Sequence, residues 1–314
     1  MNKYSAITLF SLLFLLSSCL STKPSYYEKD GQMHVKGSQW FEPGKYDFLL
    51  EDADPATFRT IDHYYTVDAN HVYRLDLFFG TLNNKIVALE QADPTTFELL
   101  GHGYSRDASH VWYYTQLIHD VDCKSFRVLQ EDYGRTDSLL FYCSRPVYGI
   151  DPNTIVIYSN KYLGDKNDVY RLDPVLHGIK LIPLHVSDKE SFSIVQKKDD
   201  EFYFWAKDKN YIYYLGYHEN DSNIVRSTIA DYQSFEVVNH NYARDKAQVY
   251  YHDSILYEAD PATIKSIKYF CQEFVKDKYH VFYRGKIVEG ADPKTFKVKG
   301  EGLGKDKYRE YNLR

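Results

Sequence analysis

One short signature recurs along the chain and limits what it can fold into. It reads Asp, any two residues, Ser or Thr, then Phe or Ile: Asp54 to Phe58, Asp93 to Phe97, Asp122 to Phe126, Asp151 to Ile155, Asp188 to Phe192, Asp231 to Phe235, Asp260 to Ile264 and Asp292 to Phe296. Each copy is followed by a second Asp with an aliphatic or aromatic pair four and five residues later. These are Asp68, Asp107, Asp165, Asp208, Asp245 and Asp277, with Asp137 and Asp306 as weaker copies. The second Asp follows the Phe or Ile by ten residues in five copies, by eleven after Phe126, thirteen after Ile264 and sixteen after Phe192. Self-similarity at a fixed period of this size marks a repeat architecture, in which one unit cannot bury its apolar surface alone.

In the first element Asp is an N-cap, Pro suits the next position, and the hydroxyl bonds the local backbone, so the segment reads as a tight or single helical turn with the Phe plugging a core. A short strand such as Phe235-Glu236-Val237-Val238 comes next, and a further strand carrying Tyr65, Tyr104, Tyr133, Tyr162 or Tyr242 follows. The Lys/Arg-Asp run then makes a hairpin turn into a strand such as Val249-Tyr250-Tyr251. Adjacent strand residues point to opposite faces, and here neighbours are both large, so the strands are covered on both sides or carry tyrosines outward on one. The expectation is an all-β tandem array of about eight β-hairpin repeats of roughly 29 residues, stacked or superhelical. A closed propeller is the alternative, disfavoured because a four-stranded blade usually takes about 40 residues. Asp30, 28 residues before Phe58, suggests an N-terminal half-repeat. Asn83-Asn84 and Glu219 to Asn223 mark turn-rich insertions.

The runs Lys207-Asp208-Lys209-Asn210-Tyr211-Ile212-Tyr213-Tyr214 and Arg244-Asp245-Lys246-Ala247-Gln248-Val249-Tyr250-Tyr251, each followed downstream by an Asp-x-x-Ser/Thr-Phe/Ile element, resemble the DKNYY repeat family of bacterial exported proteins. The resemblance runs over about residues 45–314. It implies an envelope or secreted protein of uncharacterised function and brings no catalytic residue with it.

The N-terminus reads as a sorting signal. Lys3 precedes an apolar run from Ala6 to Leu16, shorter than the about 20 residues that span a bilayer, and Leu16-Ser17-Ser18-Cys19 resembles the lipobox of bacterial lipoproteins. Residues 1–18 are expected to be cleaved and Cys19 lipidated, with Leu20 in place of Asp favouring the outer membrane. Residues 19–44 then make a tether and half-repeat, Ser21 to Ser25 being the tether, and residues 45–314 the repeat domain. The processed chain carries 37 basic against 44 acidic groups, and no basic stripe speaks for nucleic acid. Cys123, Cys143 and Cys271 remain. A Cys123–Cys143 bridge and three buried thiols are both compatible with an exported chain.

Candidate chemistry is sparse. Acids cluster before several turns (Glu51, Asp52, Asp54), without the spacing of a calcium loop. His71, His110 and His280 share one slot that Asp168, Tyr211 and Gln248 fill elsewhere, which reads as a tolerant turn position and not as a zinc site. Motifs of Ser hydrolases, P-loops and dinucleotide sites are absent from the sequence, so no cofactor is expected and the chain is not expected to be an enzyme. The 31 Tyr and 18 Phe are expected mostly between stacked units, with exposed ones serving protein, peptide or glycan recognition. An envelope enzyme acting on glycans through a carboxylate pair is the alternative.

Overall fold

The computed structural model describes residues 22–38, 45–76, 85–130, 132–175, 178–195, 205–215, 225–227, 230–252, 254–267 and 273–314. These form nine antiparallel sheets in chain order: a three-stranded sheet, seven of four strands, and a last one of three. Repeat two shows the plan. Strand a (Glu98–Gly101), strand b (Tyr104–Arg106), strand c (Val111–Tyr113) and strand d (Gln116–Ile118) pair each with the next as a meander. Four strands fit into one repeat because most are only two to four residues long. The expected hairpin is thus the b–c centre of a four-stranded sheet. The chain divides into two compact lobes, Met1–Asn153 with Pro174–Lys180, and Thr154–Asp173 with Leu181–Arg314.

The Asp-x-x-Ser/Thr segment is a tight turn, closed in repeat one by the Thr57 N–H on the Asp54 carbonyl at 3.2 Å. The Phe or Ile after it enters the space between consecutive sheets. Six apolar layers share one recipe. The earlier repeat supplies the first residues of strands b and c; the later one supplies its plug and the second residue of strand c. Tyr104 and Val111 meet Phe126 and Phe141, Trp205 and Ile212 meet Phe235 and Tyr250, and Phe274 and Val281 meet Phe296 and Tyr311. The N-terminal sheet does the same with Met33 and Val35 against Phe58 and Tyr73. Alternation along a strand sends its neighbours to opposite faces, and in repeats one, two, five, six and seven both faces pack against a neighbouring sheet. That is why the strands read as runs of large apolar residues.

The middle residue of strand b lies against its own plug, and the two vary together. Phe plugs face small residues: Phe126 with Gly134, Phe192 with Ala206, Phe235 with Ala243, Phe296 with Gly304, and Phe58 and Phe97 with Thr66 and Ser105. The two Ile plugs, Ile155 and Ile264, face Leu163 and Val275. A Cβ on Gly304 would lie 2.1 Å from the Phe296 ring, and one on Gly134 would lie 2.4 Å from Phe126.

The N-terminal segment departs from the expectation. Thr22–Lys29 is a strand paired with Gln32–Ser38, with a register shift between Thr22 and Ser25, and Lys45–Leu49 completes the sheet. Ser21 to Ser25 is therefore not a free tether from Thr22 onward, and position 45 falls inside a sheet, not at a domain edge. Pro24 is accommodated because this is an edge strand that needs no ladder donor there. Cys19, Cys271, Asn83-Asn84 and Glu219 to Asn223 lie outside the described residues.

Overfilling one layer tests this packing. Gly304→Val is expected to cost about 1–3 kcal/mol by forcing Phe296 aside. Gly304→Val combined with Phe296→Ile restores the Val/Ile pairing seen in repeat seven and should recover most of that loss in urea unfolding; an additive double variant would contradict the account.

Candidate functional site

The two recurring Asp residues meet. The second is buried in every copy that has it: Asp68, Asp107, Asp165, Asp208, Asp245, Asp277 and Asp306. One carboxylate oxygen accepts the backbone N–H groups two and three residues on, at 2.6–3.1 Å in all seven, which makes the b–c turn. The other oxygen accepts the backbone N–H of the first Asp at 2.7–2.9 Å in six repeats. The hydroxyl of Tyr73, Tyr213, Tyr250 or Tyr311, five residues on, also donates to this Asp, at 2.5–3.1 Å.

The reverse link uses the hydroxyl of the first element. Thr57, Thr96, Thr154, Ser191, Ser234, Thr263 and Thr295 each accept the N–H of the residue after the second Asp, at 2.9–3.3 Å. The two halves of the signature thus close six repeats reciprocally. In four repeats the Lys after the second Asp also pairs with the first: Lys209 with Asp188, Lys246 with Asp231, Lys278 with Asp260 and Lys307 with Asp292.

This geometry corrects repeat three. Thr136, not Asp137, holds the second-Asp place, its hydroxyl accepting from the Ser138 and Leu139 N–H at 3.3 and 3.0 Å. The spacing from Phe126 is then the usual ten. Asp137 points outward and pairs with Arg127.

Strand b staples each repeat to the next. Its first and third residues share a face. The first donates to the following sheet where strand b begins or strand c ends: Tyr104 to the Asp132 and Cys143 carbonyls, both at 2.7 Å, Tyr162 to Leu215 at 3.2 Å, Trp205 to His240 at 3.1 Å and Tyr242 to Glu273 at 3.2 Å. In five repeats the third is a cation that donates to the carbonyl after the next first Asp: Arg106 to Cys123, Arg135 to Pro152, Lys207 to Tyr232, Arg244 to Pro261 and Lys276 to Pro293, at 2.6–3.3 Å.

These contacts set the electrostatics. Burial works to raise the Asp68, Asp245 and Asp306 carboxyls, but the backbone N–H groups and Tyr hydroxyls aimed at them outweigh it and hold them below the usual range. Asp188 and Asp231, beside Lys209 and Lys246, lie at about 2. Burial pushes the Tyr162 phenol to about 12.

The sequence candidates fall around this frame. His71, His110 and His280 sit over the second residue of strand c, with ring centroids 5.7 Å from Tyr73, 5.6 Å from Trp112 and 5.9 Å from Phe282. Among the described residues no group of three His, Cys, Asp or Glu is placed to hold a metal ion. Cys123 and Cys143 are free thiols, so no bridge joins them. Burial pushes both up, Asp107 adding to it at Cys123, which disfavours thiolate chemistry. An open cleft of about 310 Å³ is lined by Thr96, Glu98, Arg106, Asp107, Ala108, Cys123 and Lys124. Its two carboxylates are engaged, Glu98 by Arg106 at 2.6 Å and Asp107 by the turn amides.

The model of the DKNYY family matches residues 133–286. Residues 133–286 are DKNYY-family sequence. The match spans strand b of repeat three to strand d of repeat seven, and the repeats on either side carry the same reciprocal closure. No curated protein and no solved structure matches the chain. The sequence alone makes the first Asp a cap and the second part of a hairpin turn, without joining them. The signal for their union is the ten-residue spacing that most repeats keep.

Removing the central acceptor should be costly. Asp245→Ala leaves three backbone N–H groups and the buried Tyr250 hydroxyl without their acceptor, and should lower the urea midpoint by the equivalent of about 3 kcal/mol, with Asp245→Asn intermediate. Because these carboxyls titrate lower in the folded than in the unfolded chain, their stabilisation is complete above the ordinary carboxyl value of about 4 and is lost as pH falls through the folded values. Thermal midpoints should hold steady from about pH 7 to pH 5 and fall between about pH 4 and pH 2; a loss above pH 5 would contradict the assignment.

Proposed function

We propose that the chain is an exported protein, lipid-anchored through Cys19 in the bacterial envelope, at the outer membrane or cell surface, and that its repeats serve as a binding or structural-interaction module. The sorting-signal pattern ahead of Cys19 and the DKNYY-family match support the setting.

One observation carries the binding role. The side chains that recur are committed to closing and joining the repeats, whereas the exposed large apolar side chains fall at positions that vary. Tyr64, Tyr114, Tyr148, Tyr257, Tyr279 and Tyr308 are six of these. Tyr148 and Tyr257 share one place, three residues before the first Asp, and are 70% and 82% exposed. Tyr279 and Tyr308 share another, two residues after the second Asp. Exposed tyrosines beside polar groups are the composition that binding hot spots use. Protein, peptide or glycan is the ligand class this surface suits.

Two measurements test the proposal. Cys19→Ala should move the protein from the membrane to the soluble fraction; retention in membranes would end the anchor reading. Replacing Tyr148, Tyr257, Tyr279 and Tyr308 by Ser should abolish capture of envelope components by the immobilised chain while leaving its melting transition in place. Unchanged capture would remove the tyrosines from the binding role.

A further inference from the structure

The charge of the chain is divided unevenly along it. Residues 265–314 carry 13 Lys and Arg against 7 Asp and Glu, a net of +6, within a chain whose total is −6; the preceding 264 residues therefore carry 25 against 37, a net of −12. These 50 residues hold the strands of repeats seven and eight and lie in the second lobe.

The excess concentrates where strand a meets strand b. Repeats two and six set opposite charges across that pair, Glu98 against Arg106 and Glu236 against Arg244, with ion pairs at 2.6 and 2.7 Å. Repeat three sets Arg127 against Arg135, but Asp137 and the Pro152 carbonyl take up these two charges, whereas repeats seven and eight set lysine against lysine: Lys265 faces Lys276, and Lys297 faces Lys305. Like charges directly across an antiparallel pair are unfavourable, so this arrangement is a poor choice for the sheet alone. Lys276 is drawn to the Pro293 carbonyl at 2.6 Å and Lys305 to Glu310 at 3.2 Å. Lys265 and Lys297 stay exposed with no carboxylate partner among the described residues, as does Lys299 two places along the same strand as Lys297. Burial lowers the Lys276 ammonium, and the Lys265 charge opposite lowers it further.

Exposed aromatics accompany this charge. Tyr279 and Tyr308 are 62% and 72% exposed, with the Lys278 and Lys307 ammonium groups 4.6 and 4.5 Å from their ring centres. Tyrosine beside lysine suits the headgroup level of a bilayer, where an amphipathic ring is half wet and a cation meets anionic phosphate.

We propose that repeats seven and eight bind the surface of an anionic lipid bilayer, with Lys265, Lys297 and Lys299 supplying unpaired charge and Tyr279 and Tyr308 entering the headgroup layer. The interaction is separate from any lipid on Cys19, and it is tested without one.

The full chain carrying Cys19→Ala is sedimented with vesicles of phosphatidylcholine alone or with added phosphatidylglycerol. Binding to the anionic vesicles should exceed binding to the neutral ones and weaken steeply with salt. The triple variant Lys265→Gln, Lys297→Gln, Lys299→Gln should lose about five-fold in affinity per lysine, on the order of a hundred-fold in all. The corresponding Lys→Arg variant should keep its binding, and Lys85→Gln, Lys124→Gln, Lys161→Gln, which removes three lysines elsewhere, should be nearly neutral. Equal binding to both vesicle types, or loss by the two Gln triples alike, would overturn the proposal. So would capture of soluble polyphosphate with no gain on anionic vesicles.

Discussion

A buried carboxylate holds seven of the eight repeats together, with four donors in repeats one, five, six and eight. Left unpaired, an ionised Asp in such a place would be costly to bury. Surrounded by two turn amides, the amide of the first Asp and a tyrosine hydroxyl, it instead fixes the b–c turn, the turn before strand a and the second residue of strand c at one point. Strands of two to four residues have few ladder bonds, and a lone hairpin is marginal in water. The carboxylate supplies cross-linking that so short a sheet lacks, and stacking of successive sheets supplies the apolar burial.

Much of this was legible in the residues. The eight-fold signature gave the period, the all-β class and the place of the plug, and large neighbours along each strand pointed to burial on both faces. Strand d was missed for a physical reason. The c–d turn places Tyr114, Cys143, His252 and Arg284 at φ between 47° and 56°, a region normally given to Gly or Asn, so no turn residue announced it. Part of that strain is offset by packing, since the His252 ring stacks at 4.2 Å on Tyr214 and 4.1 Å on Tyr251. Repeat three was misread by one residue because the search was for Asp, whereas Thr136 supplies a single hydroxyl acceptor to the same turn amides.

The surface was less legible. Which lysine faces which across a sheet depends on register, and the a–b register carries a shift in repeats two, three and eight that spacing alone does not reveal. The whole-chain balance of −6 concealed a basic end, because the excess is local to two repeats. The division of labour follows: constant positions close and staple the repeats, and the residues free to vary (the slot of His71, Gln248 and Arg309, the slot of Tyr148 and Tyr257) decide what each repeat presents outward.

Amide hydrogen exchange at the first Asp of each signature tests the closure most directly. The N–H groups of Asp54, Asp93, Asp188, Asp231, Asp260 and Asp292 lie at partly exposed turns and reach no backbone carbonyl; their acceptor is the second Asp. The account predicts that these six exchange as slowly as the amides of strand b in the same repeats, and that Asp245→Ala releases Asp231 selectively. Exchange of all six at the rate of open surface turns, with strand b still protected, would contradict it.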